Sequence, residues 1–120
     1  MSCCTGNTVL IFPCSGGANT GKASDMVARK LTKDKVGLIS CLASIGAGVS
    51  GFIESAKGAT YNIVIDGCPL SCAKKIMDKN NITNYKHIIV TELGIKKGET
   101  KITDEVIEEL VEKIKEKVKD

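Results

Sequence analysis

The residues of this chain best suited to chemistry are its cysteines, six in 120 residues. Cys68 and Cys72 stand four positions apart in "DGCPLSC", with Pro69 directly after the first, while Cys14 ends "IFPC" and Cys41 follows "VGLIS". Zinc takes four ligands in a tetrahedron, with sulfur at about 2.3 Å, and four thiolates hold a four-iron cluster equally well. A thiolate is also a nucleophile for redox or sulfur-transfer chemistry. The alternative is packing, because an isolated cysteine behaves as a small buried hydrophobe. A cytosolic setting would argue against structural disulfides, since that compartment keeps thiols reduced.

Whether these thiols can meet depends on the elements between them. "TVLIF" (8–12) reads as a buried strand, followed by a glycine-rich loop and a helix from about Thr20 with Ala23, Met26, Val27 and Leu31 on one face. "VGLIS" (36–40) is a second strand. Ile45, Val49, Phe52, Ile53 and Ala56 then give the next helix one apolar stripe, which Gly58 closes. "YNIVI" (61–65) is a third strand, and Pro69 is expected to open a helix carrying Leu70, Ala73, Ile76 and Met77 to near Asn80 and Asn81. "KHIIVT" (86–91) is a fourth strand. Thr103 reads as the cap of a last helix with Asp104 and Glu105 in its first turn, lysines near its end, and Ile107, Leu110, Val111, Ile114 and Val118 inward. Strands alternating with helices predict an α/β fold, a three-layer doubly wound domain with a four-stranded parallel sheet spanning residues 1–120, residues 1–7 forming a flexible tail.

On that frame Cys14, Cys41 and Cys68 each follow the carboxyl end of a strand, and in an open parallel sheet all such ends share one edge, where ligands bind. Cys72, one helical turn beyond Cys68, is expected to face the same crevice. A helix start also favours thiolate over thiol. The four cysteines therefore predict one shared metal or thiol site, with zinc the first candidate ion and an iron–sulfur cluster the alternative. A closed four-thiolate site leaves no position for water and brings no hydrolytic activity, which favours an accessory or metal-carrier role over an enzyme. A redox or sulfur-transfer reading, with Cys68 or Cys72 reactive, is the competing class, and either role implies a protein partner for transfer. Cys3 and Cys4, on the tail, are bystanders, sacrificial thiols or a mobile ligand arm.

Other functions find less support. Net charge is +3, and residues 103–120 carry 7 acids and 4 bases, leaving +6 on the rest. With two Phe, two Tyr and no Trp there is no basic and aromatic pattern for nucleic acid. No apolar run reaches the roughly 18 residues of a membrane span, and no secretory leader is read at Met1, so the cytoplasm is the expected location. "GGANTGKAS" (16–24) matches the glycine and lysine spacing of a phosphate loop, but Ala23 occupies the hydroxyl position that magnesium needs. "GAGVSG" (46–51), with Asp66 twenty residues after Gly46, formally fits a dinucleotide fingerprint but follows a strand that is not the first. His87, at the start of strand four, is placed at the edge opposite the thiols and is neither ligand nor base. Asp66 and Lys74 are candidates for outer contacts to the site, Asp66 alternatively capping the helix after it.

In combination, "IFPCSG", "SCLASIGAGVSG", "DGCPLSCAKK" and "VTELG" resemble the DGC-domain family, over nearly the whole chain. The resemblance implies zinc binding through four cysteines, matched here by Cys14, Cys41, Cys68 and Cys72, and no established reaction. Where relatives are expected to carry Ala-Asp in the first loop, this chain has Ala18 and Asn19.

Overall fold

The computed structural model describes residues 7–119; the expectations for the extreme tail, including Cys3 and Cys4, lie outside them. Four strands form one sheet in the order β2-β1-β3-β4: β1 (Val9–Pro13), β2 (Leu38–Ile39), β3 (Tyr61–Asp66) and β4 (Tyr85–Ile89). All pairings are parallel, Leu10 facing Leu38, Pro13 facing Ile65 and Asp66 facing Ile89. The chain moves outward from β1 to β2, then crosses back over β1 to reach β3. Crossovers of one hand then place α1 (Asn19–Lys33) on one face and α2 (Leu42–Gly46), α3 (Ser50–Gly58) and α4 (Cys72–Lys79) on the other. The last helix, α5 (Asp104–Val118), returns to the face of α1.

Side-chain alternation along the central strands divides the core accordingly. Ile11, Ile63, Ile65 and Ile88 pack with Val27 and Leu31 of α1 and Leu110 and Ile114 of α5. Leu10, Phe12 and Val64 pack with Ile45, Ala56, Ala73 and Met77 on the opposite face. The three-layer architecture expected from the strand–helix alternation is the one observed. α5 begins as its sequence indicates, Thr103 Oγ1 accepting from Val106 N at 3.2 Å.

Three local expectations are corrected. The apolar stripe from Ile45 to Ala56 is two helices rather than one. Gly48 adopts a left-handed φ of +78°, and Val49 N–H donates to Ser44 O at 3.0 Å while Gly48 N–H donates to Ile45 O at 3.0 Å. That is a Schellman ending, which closes α2 and turns Val49 (45 % exposed) and Phe52 (41 %) outward. Second, β4 gives way after Ile89 to a 3-10 turn at Val90–Leu93. Third, Pro69 does not open α4. Residues 68–71 form a turn closed by Ser71 N–H on Cys68 O (3.1 Å), Ser71 takes a left-handed φ of +56°, and Cys72 is the first helical residue. Cys68 and Cys72 therefore do not share one face of a helix, and Leu70 is 59 % exposed.

Candidate functional site

The strand order reverses direction between β1 and β3, and the loops leaving these neighbours diverge to opposite faces of the sheet. Between them lies a cleft of about 180 Å³, lined by Cys14, Cys68, Cys72, Asp66, Leu70 and Lys97 together with the glycine-rich loop before α1. This is the position where doubly wound folds bind ligands. A wider groove near the strand starts, around Tyr61 and Lys86, contains none of the four cysteines.

Three of the four expected cysteines thus line one cleft. Cys14 is drawn onto β3: its N–H donates to Ile65 O at 2.9 Å, and its sulfur accepts from Gly67 N–H at 3.3 Å. Its second contact is Ser24 Oγ, 3.3 Å away and fully buried. Ser24 donates its single proton to Gly21 O at 2.8 Å. Cys68, partly exposed, has its sulfur 3.6 Å from the Lys97 ammonium. Cys72 is exposed at the start of α4.

Cys41 is not among the residues lining this cleft. It follows β2 on the same rim, where Ser40 N–H donates to Ile11 O at 2.8 Å, and it forms the cap position of α2. The Ser44 hydroxyl, followed by the N–H groups of Ser44 and Ala43, stabilises negative charge on its sulfur and holds the thiol below its ordinary range. Among the described residues, no group of three or more His, Cys, Asp or Glu is arranged to hold a metal ion. The donor set suits zinc in kind, soft sulfur from separate segments; the sulfurs would have to turn toward a common point to bind it.

Asp66 takes the capping role. Fully buried, it accepts from Ala73 N–H at 2.7 Å and Lys74 N–H at 3.1 Å, satisfying two donors at the start of α4. His87 is not remote from it: Nε2 lies 2.8 Å from Asp66 Oδ2, so its placement at the opposite edge is corrected. The reason is parallel register. His87 faces Val64, two residues before Asp66, and its long side chain spans that step. The Lys74 ammonium pairs with Asp78 instead of turning to the thiols.

Two features near the cleft were not legible in the sequence. Asn19 holds the loop after β4: its Nδ2 donates to Lys96 O (3.1 Å) and Thr100 O (2.8 Å), and its Oδ1 accepts from Gly98 N–H at 2.7 Å. Lys97 lies within that loop. The only sequence signal was the departure at Ala18-Asn19 from the expected Ala-Asp. Ser24, the residue after Ala23, supports Cys14. The phosphate-loop match fails structurally, because the helix starts before Gly21 and a Cβ on Gly21 would collide with the Gly16 backbone.

The Lys97 loop and both cysteine loops lie in the region that also carries the similarity to known proteins. The chain is 28 % identical over 88 residues, 73 % of its length and 67 % of the relative's, to the anaerobic and virulence modulator AnvM of Pseudomonas aeruginosa. No solved structure matches. The family model for the DGC domain matches residues 10–114, a span that includes Cys14, Cys41, Cys68 and Cys72, and the chain belongs to the DGC-domain family.

Proposed function

We propose that this protein is a zinc-binding accessory protein or metal carrier of the cytoplasm, holding the ion through Cys14, Cys41, Cys68 and Cys72. The observation that supports the reading most is the arrival of Cys14, Cys68 and Cys72, from three separate segments, at one cleft between β1 and β3. Cys41 stands on the same rim with its thiol already biased toward the charged form that a metal requires. Bound there, zinc would tie the loops together as a structural or transferable ion. A relative named as a modulator is in keeping with a protein that acts through a partner, to which the ion would be passed. No helix among the described residues is long and apolar enough to cross a membrane.

Metal analysis of untagged protein purified without chelator, with thiols counted before and after chelation, tests the proposal. About one zinc per chain and four protected thiols are expected. Cys14→Ser, Cys68→Ser and Cys72→Ser should each abolish stoichiometric binding, while Cys41→Ser should weaken it. A brown protein with visible absorption would replace zinc by an iron–sulfur cluster, and a metal-free protein with every thiol reactive would remove the proposal.

A further inference from the structure

The cleft has a second property, independent of metal. Its three thiols are not equivalent: Cys14 lies against the buried Ser24 hydroxyl and the Gly67 N–H, whereas Cys68 faces a cation. The ammonium of Lys97 donates toward Cys68 Sγ across 3.6 Å, placing a positive charge beside that sulfur and any atom attached to it. Lys97 itself is solvent-exposed, and a lysine on a free loop would give up considerable side-chain entropy to hold such a contact. Here the backbone carries part of that cost. The Asn19 carboxamide engages Lys96 O, Thr100 O and Gly98 N–H, and Lys96 N–H donates to Thr100 Oγ1 at 2.8 Å, closing the loop upon itself. Gly98, at φ +81°, supplies the left-handed turn directly after Lys97.

The cavity beside this pair is small and has predominantly apolar walls, including Leu70 and the alanine and glycines of the first loop. It suits a ligand of a few atoms that combines polarizable bulk with one negative charge. A persulfide has those properties, because its terminal sulfur is more acidic than the parent thiol and carries charge at neutral pH.

We propose that metal-free Cys68 is a sulfane-sulfur acceptor, carrying a persulfide whose terminal sulfur pairs with Lys97, and that Asn19 is the positioning residue for Lys97. The Cys68 thiolate attacks the outer sulfur of a small-molecule persulfide, R–S–SH. A bond forms between Cys68 Sγ and that sulfur as the R–S to S bond breaks. The electron pair of the broken bond leaves on R–S⁻, which takes the proton given up by the transferred S–H. The products are Cys68–S–S⁻ and R–SH, with no net oxidation. Cys72, exposed on the same cleft, is the thiol placed to receive the sulfur next. This reading goes beyond zinc binding and does not require it; the two occupants compete for Cys68.

The test is to treat metal-free protein with glutathione persulfide and locate added sulfur by tandem mass spectrometry, with the rate followed by cyanolysis. One sulfur on Cys68 is expected, and none in Cys68→Ser, whose folding is checked by its thermal melt. The pair is solvent-facing, so Lys97→Met should slow uptake only roughly three- to five-fold, with Lys97→Arg restoring it. Asn19→Asp keeps the acceptor for Gly98 but loses both donors, and should slow uptake similarly without lowering the melting temperature of the fold. Because Asn19 acts through Lys97, the double variant should be no slower than Lys97→Met. Sulfur spread evenly over the thiols, or a Lys97→Met rate equal to that of the parent, would overturn the proposal. Zinc content is measured on the same preparations. Protein that takes sulfur but no zinc supports this proposal and sinks the metal reading; protein that takes zinc but no sulfur does the reverse.

Discussion

Asp66 concentrates several obligations in one buried carboxylate. It terminates β3, accepts two backbone N–H groups from the start of α4, and meets His87 from β4. Asp66→Ala strands two helix donors in a buried position and should cost about 3 kcal/mol, measured by urea unfolding. Asp66→Asn, which keeps one oxygen, should cost less. Gly67, next in the chain, is needed for a different reason. A Cβ there would lie 2.7 Å from the Thr20 carbonyl carbon, so Gly67→Ala must push β3 and α1 apart, at about 1–3 kcal/mol. The capping role of Asp66 was legible, because an aspartate ahead of a helical pattern has few better uses. The His87 contact was not, since it depends on which residue of β4 lies beside which residue of β3, and one-residue steps of register leave no mark in a short apolar strand. Lys97 was hidden for a related reason: its place beside Cys68 comes from hydrogen bonds made 77 to 81 residues away along the chain.

At the level of elements, three helices end in the same way with three different residues. α1 closes with Val36 N–H on Leu31 O and Lys35 at φ +63°, α2 with Gly48 at +78°, and α4 with Ile82 N–H on Met77 O and Asn81 at +60°. Each is a Schellman ending that puts its closing residue in the left-handed region, where glycine is free of penalty, asparagine tolerable and lysine strained. Lys35 is exposed, so Lys35→Gly should raise stability by about 0.5–1 kcal/mol, whereas Gly48→Ala should lower it by a similar amount. Both are read from urea midpoints. The central strands, α1 and α5 were visible as apolar runs and stripes because burial on the sheet demands them. The split between α2 and α3 was missed because Val49 and Phe52 kept the helical period across Gly48 although both face outward. The start of α4 was missed because Pro69 fits the first turn of a helix and a tight turn equally well.

Across the whole molecule, carboxylates at widely spaced sites are held in the charged form. The Tyr85 hydroxyl and then Lys74 lower Asp78, Lys115 lowers Asp34, and Arg29 lowers Asp25. A carboxyl group whose folded pKa lies below its unfolded value contributes stability that is complete above the unfolded value and disappears as pH falls through the folded one. Urea stability should therefore decline as pH is lowered through and below the ordinary aspartate range, with Asp78→Asn shallower in slope than the parent. Added salt should reduce the effect, since these pairs are largely exposed.

The close seat of Gly67 on Thr20, joined to the Cys14 bonds to Ile65 and Gly67, makes the roots of the β1 and β3 loops one mechanical body. Cys41 stands beside it on the rim, at the start of α2. A guest in the cleft would therefore be seated against a fixed jaw. The width of that jaw, set where Gly67 rests on Thr20, should then decide what the cleft admits.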